Sequence, residues 1–251
     1  MRTLVIGDIH GNAKGLQQVL EKSKFNSKKD KLIQLGDVAD GWSETSECVD
    51  ILLDIQDNAS ENNKPIFIRG NHDVWVYDWI KYGKTPLVWT QQGGKSTLNS
   101  YIRTQKFVKD SHRNFWYNQK DWHIDDKNRL FIHAGWYFPS GFPKGAKASV
   151  NAGTIAKECH WDRGLFETCR SAHLMKKNNS NAFKNFNPTF EFEEVYIGHT
   201  ARDKGPENYL NLWNLDTGSG WNGKLTIMDI DTKEYWQSDN SKKLYTDEKG
   251  R

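Results

Sequence analysis

Asp8-Ile9-His10 sets a carboxylate and an imidazole two residues apart, and both groups can ligate a divalent cation. Related blocks follow: Gly36-Asp37-Val38-Ala39-Asp40, Gly70-Asn71-His72-Asp73, His133 before Ala134-Gly135, and Gly198-His199-Thr200. Pooled, they offer the carboxylates of Asp8 and Asp37, the amide oxygen of Asn71 and the imidazoles of His10, His133 and His199. Asp40 and His72 are left over. One ion would be over-supplied by this set. Two divalent ions sharing a bridging carboxylate, about 3.5–4 Å apart as in two-metal hydrolytic sites, would be well served. Mixed oxygen and imidazole ligands suit manganese, iron or zinc rather than calcium, and the lack of thiolates argues against a structural zinc site.

Such residues must be carried to one place by the fold. Each block follows a short apolar run of strand length: Leu4-Val5-Ile6, Leu32-Ile33-Gln34-Leu35, Ile66-Phe67-Ile68, Leu130-Phe131-Ile132 and Val195-Tyr196-Ile197. Helical patterns fill the gaps, with Leu16, Val19 and Leu20 on one face and Val49, Leu52, Leu53 and Ile55 on another. A helix with capping residues is expected from near Ser43. The alternation predicts a layered α/β fold with a largely parallel central portion. Ligands bind beyond the carboxyl ends of strands in such sheets, so the blocks converge on one rim. Residues 74–129 read as helices and loops over one side of the site. Phe138 to Asn187 reads as long loops with one or two helices, 224–237 as a closing hairpin, and Lys242–Arg251 as a frayed tail.

Composition narrows the partners. The chain has 251 residues, room for one large α/β domain, and 35 basic against 32 acidic residues leave a formal charge of +3. That near-balance gives no strong nucleic-acid-binding signature. No apolar run approaches the ~20 residues of a membrane span, and the N-terminal stretch lacks the form of a signal peptide. The odd set Cys48, Cys159 and Cys169 contains no Cys-x-x-Cys pair, which fits a reduced, cytoplasmic compartment.

In order and in context, the five blocks resemble the calcineurin-like metallophosphoesterases, in particular the serine/threonine phosphoprotein phosphatase branch with its small bacterial and phage enzymes. Trp89 to Tyr101 with its Gly93-Gly94, Trp161-Asp162-Arg163, Leu215-Asp216-Thr217-Gly218 and Gly223-Lys224-Leu225-Thr226 resemble further segments of the bacterial members. The resemblance spans residues 3 to about 237. It implies a single α/β metallophosphoesterase domain over 1–240, with central sheets flanked by helices, and a flexible tail over 241–251. It also implies a two-metal phosphomonoesterase, with manganese first among the candidate ions and iron or zinc as alternatives. Asp8, His10 and His199 would hold one metal, Asn71 and His133 the other, and Asp37 would bridge. A hydroxide between the metals would attack phosphorus. His72 would protonate the leaving oxygen, with Asp40 orienting its ring and favouring the imidazolium.

One departure stands out. The phosphoprotein branch follows its second block with Arg-Gly, and that Arg grips phosphate; here the residues are Gly41-Trp42. The remaining candidates for gripping phosphate are Arg163 and Arg69. Among eleven tryptophans, Trp42, Trp136, Trp161 and Trp221 lie beside motifs, and Trp42 could offer a flat face to a base. A phosphoprotein is therefore the first expected substrate, and a nucleotide (a dinucleoside polyphosphate or a nucleic-acid terminal phosphate) the alternative. A non-catalytic binding module is disfavoured by the intact ligand set. His112, His123, His160 and His173 lie outside the motifs and read as structural, and Asp73 as a helix cap.

Overall fold

The apolar runs are strands buried on both faces, and successive residues feed different cores. Leu4 and Ile6 face one cluster while Val5 faces another, and Leu130 and Ile132 likewise part company with Phe131. The computed structural model describes residues 2–136, 141–142, 154–178 and 184–251. The strands are β1 (Thr3–Ile6), β2 (Lys31–Gln34), β3 (Ile66–Phe67), β4 (Trp122–Ile124), β5 (Arg129–Ile132), β6 (Glu194–Ile197), β7 (Glu207–Tyr209), β8 (Leu212–Asn214), β9 (Thr226–Asp229) and β10 (Tyr235–Gln237).

They form two five-stranded sheets, ordered β10-β9-β1-β2-β3 and β4-β5-β6-β8-β7. The parallel portion is thus split rather than continuous: β1-β2-β3 run parallel in one sheet and β5-β6-β8 in the other, each extended by antiparallel strands. The closing hairpin expected over 224–237 is β9–β10, antiparallel with Trp236 opposite Ile227.

Between the sheets lie Val5, Ile33, Leu35, Ile66, Phe131, Tyr196 and Met228. Phe131 and Tyr196, on neighbouring strands, stack with centroids 5.2 Å apart. Helices cover the outer faces. Over the first sheet lie α1 (Ala13–Lys22), α2 (Thr45–Asn58), α3 (Asn71–Tyr82), α4 (Leu87–Trp89), α5 (Lys95–Thr104) and α6 (Asp110–Asn118), whose apolar sides share one core with β1 and β2. Over the second lie α7 (Thr154–Trp161) and α8 (Gly164–Lys177), contributing Cys159, Leu165, Phe166 and Cys169. The helix expected near Ser43 begins at Thr45 and has no side-chain cap. These are the helices expected between Phe138 and Asn187; residues 137–140, 143–153 and 179–183 lie outside the described residues.

The tail expected over 241–251 is folded. Its first turn is α9 (Ser241–Leu244), capped by Asn240, and Tyr245 is buried against Trp42 with ring centroids 5.0 Å apart and planes 18° off parallel. Glu248 accepts from the Ser43 backbone N–H at 2.9 Å. Charge along the segment reads as solvated, but its one aromatic residue finds a buried partner in Trp42 and Glu248 a half-buried one in Ser43. Among the described residues no helix is long and apolar enough to cross a membrane.

Candidate metal centre

Every candidate ligand sits just beyond the carboxyl end of a parallel strand, where the chain turns sharply. His10, Asp37, Asp40 and His199 all adopt left-handed backbone, with φ of 55°, 54°, 70° and 65°. Strain of this kind persists only where surroundings enforce it, and it marks functional turns. Two glycines show what enforces it. A Cβ on Gly70 would lie 2.0 Å from Asp37 Oδ1, and one on Gly198 would lie 2.0 Å from Asp8 Oδ1. The glycines of the motifs make room for the carboxylates.

Second partners fix the imidazoles. His10 Nδ1 donates to the Ala39 carbonyl at 2.9 Å, and His133 Nδ1 to the Leu35 carbonyl at 2.8 Å. Each ring therefore turns its Nε2 to the interior. His10 Nε2 lies 3.8 Å from Asp8 Oδ2 and 3.7 Å from Asp37 Oδ2; His133 Nε2 lies 3.3 Å from Asp37 Oδ2 and 3.1 Å from Asn71 Oδ1.

Ligand atoms of Asp8, His10 and Asp37 all fall within 4.8 Å of one another, as do those of Asp37, His133 and His199. Asp37 belongs to both groups. The resemblance implied that His199 joins Asp8 and His10, but its ligand atom groups with Asp37 and His133 instead. Its ring stands 5.0 Å from that of His133, and it meets Asp8 only through its backbone N–H, at 3.1 Å. The buried Asp37 Oδ2 and His199 Nε2 have no hydrogen-bond partner. Buried polar atoms without partners are costly, so this donor set fits a pair of divalent cations.

The electrostatics have the same cause. Burial pushes Asp8 well above the usual carboxylate range, and the charges of Asp216 and Asp37 add to it. Burial also raises Asp37, but His133, His72 and His10 overcome it and hold the group well below that range. Burial pulls His10 down to about 3 and His199 down to about 2, the latter helped by His133 and Arg163. His133 is also pulled down by burial, but Asp37 outweighs this and leaves it raised.

His72 Nδ1 lies 2.6 Å from Asp40 Oδ2, the contact that an orienting role for Asp40 requires. Asp40 is itself held by Trp89 Nε1 at 2.8 Å and Thr97 Oγ1 at 2.7 Å. Burial nevertheless pushes Asp40 up and pulls His72 down to about 3. The expected bias toward imidazolium is opposed by desolvation of the ring. Nε2 of His72 is buried and unpartnered, free to face a substrate.

The phosphate-gripping candidates separate. Arg163, exposed just before α8, stands near enough to lower His199. Arg69 is 2% exposed and donates to the Trp116 carbonyl at 3.0 Å, lies 3.7 Å from Asp121 and stacks on Tyr77. It ties α6 to the sheet and is not available to phosphate. Trp42 is also a correction. It is fully buried, stacked on Tyr245, and its indole donates to the Ser219 carbonyl at 2.6 Å, so it offers no face to a base. Trp136 is buried too, whereas Trp161 is 38% exposed.

Sequence reasoning missed several supporting residues. Trp89 and Thr97 sit in a quoted segment but bear no local sign that they hold Asp40. Asp73 does more than cap α3: its carboxylate accepts from the backbone N–H groups of Asp37, Val38, Ala39 and Gly70. Trp75, half-buried, packs edge-on to His72 with centroids 5.0 Å apart. Arg251, in the supposed tail, places a guanidinium nitrogen 3.3 Å from His10 Nε2. The histidines outside the motifs are structural, His112 bridging Tyr101 and Asp50 and His160 pairing with Asp121.

The family model for calcineurin-like phosphoesterases matches residues 1–203. A symmetrical bis(5'-nucleosyl)-tetraphosphatase of Pseudomonas fluorescens is 22% identical, with 93% of each chain covered. Among solved structures, a putative diadenosine tetraphosphatase superposes with a TM-score of 0.59 at 17% identity, covering 94% of this chain and 92% of that one. A protein serine/threonine phosphatase from Saccharomyces cerevisiae gives 0.57 at 15% identity, covering 91% and 73%. With its ligand groups gathered around Asp37, the chain belongs to the calcineurin-like phosphoesterase family and is a metal-dependent phosphoester hydrolase.

Proposed function

We propose that this hydrolase acts on a nucleotide polyphosphate, with a dinucleoside tetraphosphate as the preferred class, rather than on a phosphoprotein. The observation that carries the reading is an aromatic wall leading to the candidate acid. Trp161, 38% exposed, packs edge-on to Trp75 at 5.2 Å, and Trp75 packs on His72 at 5.0 Å. A base entering beside Arg163 meets indole surface immediately outside the reacting centre, and stacking on such a surface contributes about 1–3 kcal/mol per base. Relatives matched over nearly their whole length, named as symmetrical tetraphosphatases, support the same reading. So does the absence of the phosphoprotein branch's Arg at Gly41-Trp42.

In this reading Asp8, His10 and Asp37 hold one cation, and Asp37, Asn71, His133 and His199 the other. Manganese is the first candidate, with iron or zinc next. When bound, such a pair supplies Lewis acidity and charge neutralisation at phosphorus. Arg163 grips a phosphate oxygen and His72 delivers a proton to the leaving oxygen from Nε2, its ring held by Asp40. The whole chain, 241–251 included, acts as one catalytic domain, and its buried free cysteines suit a reducing cytoplasm.

The test is parallel turnover with manganese of a dinucleoside tetraphosphate, a phosphoserine peptide and 4-nitrophenyl phosphate. The dinucleoside substrate should give the highest kcat/KM. A phosphopeptide that surpasses it would return the chain to the phosphoprotein class.

A further inference from the structure

The missing arginine at position 41 is a matter of geometry as well as sequence. Gly41 has φ of 107°, a conformation that side chains rarely adopt, and its ideal Cβ would lie 3.0 Å from the His10 carbonyl oxygen and 3.6 Å from that of Gly220. An arginine cannot be carried there without reshaping the turn that follows Asp40. Another arginine nevertheless reaches the same two residues, one through its backbone and one through its guanidinium. The Arg251 backbone N–H donates to the Gly220 carbonyl at 2.9 Å, and its side chain places Nη1 3.3 Å from His10 Nε2.

The segment carrying Arg251 is anchored on the residue that replaces the family's arginine-glycine pair. Tyr245 stacks on Trp42, and an ideal Cβ at Gly250 would lie 2.9 Å from the Trp42 ring and 2.8 Å from the Gly220 carbonyl oxygen. Glu248 accepts from both the backbone N–H and the hydroxyl of Ser43, at 2.9 and 2.7 Å. The guanidinium itself lies over the Trp221 ring at 4.7 Å. Trp42 and Trp221, two of the tryptophans beside motifs, thus serve this segment.

Nη1 of Arg251 stands 3.3 Å from the His10 Nε2 that shares a ligand group with Asp8 and Asp37, so the guanidinium lies at the edge of the metal centre. Among the described residues its guanidinium makes no carboxylate ion pair, whereas Arg103 and Arg129 are both so paired. Among the described residues its side-chain hydrogen-bond partner is the ring nitrogen that His10 turns to the centre. In the loaded protein that lone pair is committed, and the guanidinium must find another acceptor. A cation held at the mouth of a phosphoester site, with its planar fork free, fits a phosphate oxygen pair.

We propose that Arg251 is a phosphate-binding residue, supplying from the far end of the sequence the guanidinium that position 41 cannot carry. It works with Arg163: Arg163 stands at the His199 end of the centre and Arg251 at the His10 end. This rests on the phosphoester reaction of the family and not on the nucleotide reading, and the test uses no nucleoside.

The experiment measures inorganic phosphate binding to manganese-loaded wild type, Arg251→Ala and Arg251→Lys, by calorimetry and by competition against 4-nitrophenyl phosphate. Metal content and melting temperature are read on the same samples. Arg251→Ala should bind phosphate roughly 10- to 100-fold more weakly with manganese content unchanged, and Arg251→Lys should recover part of the loss. Unchanged phosphate affinity in Arg251→Ala at full metal content would overturn the proposal. So would tighter phosphate binding or faster turnover, either of which would make the segment a plug over the site. A loss of manganese in Arg251→Ala would also overturn it, assigning Arg251 to ligand positioning.

Discussion

The carboxylate of Asp73 is bonded to the backbone of Asp37: Oδ2 accepts the Asp37 N–H at 2.9 Å while Oδ1 accepts those of Val38 and Ala39 at 2.9 and 3.2 Å. The turn that thrusts the shared ligand into the centre is thereby tied to the first turn of α3, which carries Asn71 and His72. One buried carboxylate sets the distance between the bridge, the second group's amide and the candidate acid.

Removing that tie should disturb the metal centre from a distance. Asp73→Ala would leave several buried N–H groups without acceptors, at about 1–3 kcal/mol each. A fall in melting temperature and at least a tenfold loss of manganese affinity are expected, with Asp73→Asn milder because one acceptor oxygen remains. Calorimetric manganese titration of the two variants checks this, and undiminished affinity in Asp73→Ala would contradict it.

Metal and acid roles should part under mutation. Asp37→Asn removes the charge common to both groups and should abolish manganese binding, whereas His72→Asn should keep the metal. General acid catalysis contributes about 10²–10⁴-fold, and alkyl leaving groups need it more than nitrophenolate. Loss of turnover in His72→Asn should thus be far greater for an alkyl phosphate than for 4-nitrophenyl phosphate. Equal losses would remove His72 from that role.

Metal loading should release protons. Burial and neighbouring carboxylates raise Asp8, and Asp37 raises His133 against the pull of burial, so both hold their protons to higher pH than such groups ordinarily do before cations arrive. A cation that takes these ligands drives the protons off, so apparent affinity rises with pH until both groups are deprotonated in the free protein. Manganese calorimetry in buffers of different ionisation enthalpy should show net proton release that grows as the pH is lowered. Heats independent of buffer would contradict it.

The two tryptophans once grouped by position should behave oppositely. Trp42→Ala empties a buried site and should cost about 3–5 kcal/mol of stability. Trp161→Ala should leave the melting temperature nearly unchanged and raise KM for a dinucleoside tetraphosphate well above its effect on 4-nitrophenyl phosphate. A KM unmoved for both substrates would remove Trp161 from the binding face.

What could be read from sequence was what is local. Gly-Asn-His and Gly-His after an apolar run announce a strand end and a ligand together, because Gly70 and Gly198 leave room for the carboxylates of Asp37 and Asp8. Pairings across the chain left no such trace. His199 follows Gly198 as any ligand would, and nothing local shows that its ring approaches His133. Trp42 and Arg69 are the types that bind bases and phosphates, yet Tyr245 and the α6 carbonyls claim them. Arg251 looked like solvated charge because nothing in a stretch of lysines and aspartates shows that one tyrosine anchors it.

The claim on which the rest depends is that Asp37 joins two cation sites in one hydrolytic centre. Metal-stripped protein should be titrated with Mn²⁺ while hydrolysis of 4-nitrophenyl phosphate is followed. The account predicts no turnover before metal is added and a rise that saturates at two ions per chain. Full turnover in the presence of chelator, or saturation at a single ion, would contradict it.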